Sequence, residues 1–210
     1  MRPINQAARD RLQILLGRRA AVSAPALAEQ LGVSRATLHR MLAELTDKLV
    51  TLGQARRSRH ALRRPLRGEL GDMPLYAIDE AGQAHEVSQL ALLSPQGSAM
   101  PLQGTGWPIP DESRDGWWDG LPYPVFDMQP QGYMGRQMAV AVQQALAVSP
   151  NPNEWGDDDV AHVLSQVGSD TSGNLILGDR AFAQWQATKL SPPDAVPGDD
   201  LERLGEHYSR

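Results

Sequence analysis

Apolar positions along residues 24–45 fall into two short stripes interrupted by a turn. Leu27 and Leu31 stand four apart, and then Leu38, Met41, Leu42 and Leu45 recur at the three- and four-residue spacing of one buried helix face. Ser23 suits the N-cap of the first helix and Pro25 its first turn, Gly32 falls where that helix should stop, and Ser34 suits the N-cap of the second. The pattern predicts a helix-turn-helix. Its second helix turns Ala36, Arg40 and Ala43 outward with Thr37 and His39 on the flanks, and the small alanines allow close approach to a partner. The bland alternative is a helical hairpin whose arginines are merely solvated.

The flanking pattern extends this unit on both sides. Residues 5–16 read as a helix with Ala8, Leu12, Leu15 and Leu16 on one side, the third member of a trihelical core. After the second stripe, Leu49, Val50 and Leu52 read as a strand and Gly53-Gln54 as a turn, with residues 56–64 returning as a strand or an irregular basic ribbon. Together these predict a winged helix. Pro65, Gly68, Gly71 and Pro74 give the next stretch the composition of a linker.

Beyond it, 75–78 and 85–93 read as a hairpin around Glu80-Ala81-Gly82, and Pro95-Gln96-Gly97 introduces a further edge. Residues 107–130 are dense in Pro, Gly and aromatics, with a helical turn expected near 117–120; the rings of Trp107, Trp117, Trp118, Tyr123 and Phe126 read as satellite core rather than a ligand cage. Residues 132–147 read as a helix packing through Met134, Met138, Val142 and Ala145. A helix over 157–167, a strand over 174–177, and a Pro-rich tail with a short charged helix complete the pattern. The fold class expected is α+β: a winged helix-turn-helix over 1–66, a small mixed α/β domain with an antiparallel sheet over 72–190, and a tail over 191–210.

Charge sharpens the division. Among the 210 residues, positions 1–70 hold fourteen Arg and Lys against five Asp and Glu, a net of +9; the whole chain is −5, so the remainder carries −14. A basic module fused to an acidic one is the footprint of a nucleic-acid-binding domain joined to something else. A major groove admits one α-helix, whose first turns meet base edges. The residues expected on double-stranded DNA are therefore Ser34, Arg35, Thr37, His39 and Arg40 of the second helix. Arg56, Arg57, Arg59 and Arg63 of the ribbon, with His60 and Arg64 beside them, would lie along the phosphates or in the minor groove. Ser34 is placed to hold a phosphate. The alternative for the ribbon is a solvated basic linker.

Absences narrow the chemistry. There is no cysteine, which removes disulfides and thiolate zinc sites, and the five histidines show no ligand spacing. Asp157, Asp158 and Asp159 suit the positive end of a helix better than a metal. No apolar run of about 18 residues and no signal peptide appear, so a cytoplasmic protein without membrane partners is expected. No GxxxxGK[ST] or GxGxxG loop occurs. Ser169, Ser172 and His162 lie close in sequence without a motif that would make them a catalytic set, and no catalytic, cofactor or metal residue is assigned.

Two stretches carry a family resemblance. WWDGLPYPVFDMQPQGYMGRQM (117–138) and DVAHVLSQVGSDTSGNLIL (159–177) resemble the N-terminal part of the HipA family of bacterial serine/threonine-kinase toxins, and the helix-turn-helix in front resembles its YjjJ or HipH subgroup. The chain departs from the family pattern at Asp170-Thr171-Ser172, where Asp-Ser-Val is usual, and at Pro122-Tyr123-Pro124, where a Pro-Asp turn is usual. The resemblance implies a HipA-like N-terminal subdomain and the start of a kinase N-lobe, fused to a DNA-binding domain that joins repression of the operon to control of a toxin-antitoxin system. It also implies, as the alternative function, a fragment of a serine/threonine kinase. The glycine-rich loop, the lysine and the two aspartates of such a kinase have no counterpart here, so ATP and Mg²⁺ belong only to a full-length parent. A homodimer reading paired half-sites, and a kinase core or partner polypeptide bound to residues 70–190, are the further partners expected.

Overall fold

A computed structural model describes residues 6–53, 57–171 and 173–190. Three helices and a small sheet form the N-terminal half: α1 (Gln6–Arg18), β1 (Val22–Ser23), α2 (Ala24–Leu31), α3 (Arg35–Ala43), β2 (Leu49–Leu52) and β3 (Arg59–Leu62). The apolar stripes read from the sequence close this core, with Leu12, Leu16, Leu27, Leu31, Leu38, Met41, Leu42 and Leu49 buried together. Leu45 lies past the end of α3 and is only partly buried. Strand order is β1-β3-β2, all antiparallel. β1 has no signal in the sequence, because two residues are too short for periodicity; Val22 and Ser23 are extended because they pair with His60 and Arg59.

A five-stranded antiparallel sheet, order β7-β6-β5-β4-β8, builds the second half: β4 (Met73–Ile78), β5 (Ala84–Leu92), β6 (Ser98–Ala99), β7 (Trp117–Trp118) and β8 (Leu175–Leu177). Its helices are α4 (Tyr123–Asp127), α5 (Gly132–Leu146), α6 (Asp157–Val167) and α7 (Asp179–Leu190). Leu75, Leu90, Met100, Leu102, Val125, Val163, Leu164 and Leu177 form the core between sheet and helices. Pro74 lies in β4, read as linker, because β8 pairs only from Leu75 onward and no N–H is needed at its position on that side.

Several expectations are corrected. Trp117 and Trp118 are a strand against β6 rather than a helical turn, and the helical turn follows at α4. α5 buries Gly135 and Ala139, with Met138, Val142 and Leu146 partly covered, while Met134 is 76% exposed and Ala145 is exposed. A step of three or four from Gly135 gives that face, and Gly135 allows it because a Cβ there would stand 2.5 Å from the Pro130 carbonyl carbon. Phe126 is exposed rather than satellite core. The last strand starts at Leu175, one residue later than expected.

α7 was not anticipated. Phe182 stacks on Tyr76 at 4.1 Å between ring centroids and on Trp185 at 5.8 Å, and Lys189 stands over the Trp185 ring and donates to the Gly82 carbonyl. Tyr76 donates its hydroxyl to Asp179 at 2.6 Å, which with burial and the Asp179 charge pushes its pKa up to about 12. The tail, residues 191–210, lies outside the described residues.

The two halves are stitched together. Arg63 bridges Leu93, the Arg64 amide donates to the Leu92 carbonyl at 2.8 Å, and the Ser94 amide donates to the Leu62 carbonyl at 2.9 Å. A third core mixes Val50 and Ala61 from the first half with Ala91, Leu93, Ala99 and Trp117 from the second. Among the described residues no helix is long and apolar enough to cross a membrane.

Candidate nucleic-acid interface

The local chemistry of the helix-turn-helix is that of its caps. Ser23 Oγ accepts from the Ala26 amide at 3.4 Å, Gly32 takes φ +64° and returns its amide to the Ala28 and Glu29 carbonyls, and Ser34 Oγ accepts from the Thr37 amide at 3.2 Å. These bonds satisfy terminal donors and acceptors that a helix leaves open, so they fix the angle between α2 and α3. The Ser34 hydroxyl also meets Thr37 Oγ1 at 2.9 Å. Both hydroxyls are thus engaged with each other at the start of α3, and the free amides of that first turn remain beside them.

α3 presents the face the spacing implied. Leu38, Met41 and Leu42 are buried, while Arg35, Ala36, His39, Arg40 and Ala43 are exposed and Thr37 is partly so. The side chains of Arg35 and Arg40 make no ion pair or hydrogen bond among the described residues, and both residues are exposed, so their charge is directed at solvent. The far end of α3 is held instead by Glu44, whose carboxylate pairs with Arg9 of α1 at 2.6 Å.

The ribbon divides into residues that reach outward and residues that turn back. Arg57 and Arg59 are exposed and free of ion pairs among the described residues, and they line a shallow cleft with Ser23 and Asp115. Arg56 and Gln54 lie outside the described residues. Arg63 is directed inward: its Nε and Nη2 donate to the two Asp72 oxygens at 2.8 Å each, and it also donates to the Leu49 carbonyl. Arg64 forks onto Asp158 through Nη1 and Nη2 while its Nε donates to the Leu93 carbonyl, and Arg67 pairs with Asp159 at 2.5 Å. The geometry brings Ser34, Arg35, Thr37, His39 and Arg40 together on α3 and leaves Arg63 engaged elsewhere.

Asp158 and Asp159 lie more than ninety residues from their arginines, and Asp72, nine residues from Arg63, lies across a stretch whose composition reads as linker, so none of the three pairs leaves a local sequence signal. Asp158 and Asp159 do occupy the first turn of α6, where carboxylates suit the helix dipole, and Asp159 also accepts from the Gly156 amide at 3.3 Å. Their second task is to receive the arginines that follow the ribbon.

His60 was expected along a phosphate, and it is 7% exposed. Its Nδ1 lies 2.9 Å from Thr51 Oγ1, and its Nε2 is buried with no partner among the described residues. Burial, with the nearby His39 charge adding to it, lowers its pKa below the ordinary imidazole value. An unpaired buried donor or acceptor of this kind costs about 1–3 kcal/mol.

Comparisons with known proteins follow this division of the chain. A family model described as "YjjJ-like toxin, middle domain" matches residues 69–186, and one described as "HTH domain" matches residues 8–57. Toxin YjjJ of Escherichia coli (strain K12) is 32% identical over 188 residues, which are 90% of this chain and 39% of that protein. The chain therefore spans about two-fifths of the length of that relative. No solved structure matches.

Proposed function

The chain belongs to the YjjJ-like toxin family, and from that premise we propose that its N-terminal half is a sequence-specific, winged DNA-binding domain that regulates transcription on behalf of the toxin. The observation that carries this reading is the α3 face, where the side chains of Arg35 and Arg40 stand exposed and unpaired beside the small residues Ala36 and Ala43. Arg35, Thr37, His39 and Arg40 are assigned to base edges, the first-turn amides beside Ser34 to a phosphate, and Arg57 and Arg59, with Arg56, to the backbone beside the β2–β3 wing. Arg63, held in place by its fork onto Asp72, is assigned to positioning rather than to base contact.

The domain boundaries proposed are 1–66 for the winged unit and 72–190 for the middle domain, read as a HipA-like N-terminal subdomain. The two resembling stretches support that reading by falling on β7 through α5 and on α6 through β8. Any phosphotransfer by a full-length relative would use groups outside these residues.

A gel-shift titration against the gene's own promoter and a random duplex tests the proposal. Arg40→Ala should weaken promoter binding by roughly 5- to 100-fold with little change on random DNA, and Arg57→Ala should weaken both alike with a shallower salt slope. Equal losses on both duplexes for both variants would remove the claim of specificity.

A further inference from the structure

Behind the C-terminal half of α3 lies a recess of about 380 Å³, closed on its other side by β2 and β3. His39 and Thr46 line it from the helix side and Thr51, His60 and Arg63 from the sheet side, with Leu42 and Leu49 among its apolar contributions. No carboxylate lines it. We propose that this recess is a binding site for a phosphate-type oxyanion, with His60 Nε2, His39 and Arg63 as its donors.

The buried imidazole makes the strongest argument. His60 is almost wholly covered, yet Nε2 has no partner among the described residues, and the ring forms part of the recess wall. When Nδ1 accepts from the Thr51 hydroxyl, Nε2 carries the proton and is a donor; in the protonated ring both nitrogens donate. Both of these states offer N–H to an acceptor; in the remaining neutral tautomer, with the proton on Nδ1, Nε2 accepts instead, so an oxyanion selects the Nε2–H form. Arg63 adds a fixed fork: three of its bonds go to Asp72 and the Leu49 carbonyl, which anchor the guanidinium and leave two of its five N–H groups unused. Thr46 already donates to the Ala43 carbonyl, so its oxygen adds no free proton.

The charged groups around His60 favour an anion over a cation. From α3 comes His39, whose charge opposes protonation of His60, and from the end of β3 comes Arg63, with Asp72 behind it and Asp47 adding to its field. Two imidazoles beside a guanidinium, with no carboxylate or thiolate, make a poor metal site. An oxyanion reverses the repulsion between the two rings and gives Nε2 its missing partner. Charge-assisted bonds of this kind are among the stronger ones a small site can offer. The phosphate has two sources, the backbone of bound DNA or a free phosphorylated small molecule, and they share this chemistry.

The full chain, ¹⁵N-labelled, provides the test. Inorganic phosphate is titrated at constant ionic strength against chloride, and the imidazole resonances are followed. The expected result is a saturable shift of His60 and His39 while His85 and His162 stay put, with His39→Ala raising the dissociation constant about tenfold or more. His39 is exposed, so that variant keeps its fold even if His60→Gln does not. Absence of saturation, or equal drift of every histidine, would overturn the site as an adventitious ion effect. Competition between phosphate and promoter duplex for the His60 signal would identify DNA as the source; phosphate binding that leaves duplex affinity unchanged would identify a free ligand. The phosphate arm contains no DNA, so failure of the DNA-binding reading would leave it standing, and the reverse also holds.

Discussion

His60 shows how far a single residue can depart from its sequence context. It sits between Arg59 and Arg63 in a basic run, and nothing local sets it apart from the exposed arginines, yet β3 is the central strand of its sheet and is covered on both faces there, so His60 and Ala61 are both buried. Its folded-state pKa lies below the value of 6.5 that an unfolded chain would show. The unfolded state therefore takes up the proton first as pH falls, so the stability is full above about pH 6.5 and declines as pH drops towards the folded-state pKa. His162, lowered by burial and then by the Arg67 charge, acts in the same direction. Denaturant midpoints measured between pH 7.5 and 5 should fall, and His60→Gln should flatten that fall in part. An unchanged slope in the variant would mean that His60 is not the buried neutral group described. The α3 residues, by contrast, were legible one by one, because caps and three-four spacing are local signals.

At the scale of elements, legibility followed length. α2, α3 and α6 carry stripes or caps over eight or more residues, and the structure places them as expected. β1 and β7, two residues each, exist only through their partners. α7 does carry a signal, Asp179 in the first turn with Ala181, Phe182 and Trp185 at helical spacing, but the Pro-rich composition that follows masks it. The packing face of α5 was misassigned by following its methionines, whereas close approach to Pro130 selects the Gly135 side. The hairpin of β2 and β3 depends on Gly53, at φ +88°, where a Cβ would stand 2.6 Å from the Arg57 carbonyl oxygen. Gly53→Ala should cost about 1–3 kcal/mol in denaturant unfolding and displace Arg57, weakening promoter and random DNA alike. An unchanged midpoint would show that the turn tolerates a side chain.

For the whole molecule, composition marked a linker where the structure has a seam. The charge contrast between the halves is visible in the sequence, but its use is not: Arg63 and Arg64, expected along DNA, and Arg67, part of the same basic excess, are committed to Asp72, Asp158 and Asp159. The pairs to Asp158 and Asp159 span more than ninety residues and leave no local pattern, and the Arg63–Asp72 pair spans a stretch that composition alone reads as linker. With Ala61, Leu93 and Trp117 in one shared core, the two halves should unfold in a single transition. Arg64→Ala and Asp158→Ala should be coupled in a double-mutant cycle by roughly 0.5–1 kcal/mol, modest because Asp158 is 44% exposed. Two separate transitions, with additive single losses, would mean that the seam holds nothing.

The account rests most heavily on α3 entering duplex DNA, and the absence of cysteine makes that directly measurable. Ala36→Cys places a lone thiol on the outward face of α3, and Gln144→Cys places one on exposed α5 as the control. Thiol–disulfide exchange against promoter duplexes carrying an activated mixed disulfide on a single major-groove base, with release of its leaving thiol, should capture Ala36→Cys at a few adjacent positions and Gln144→Cys at none. Equal trapping of both variants, or none with Ala36→Cys at any position, would contradict it.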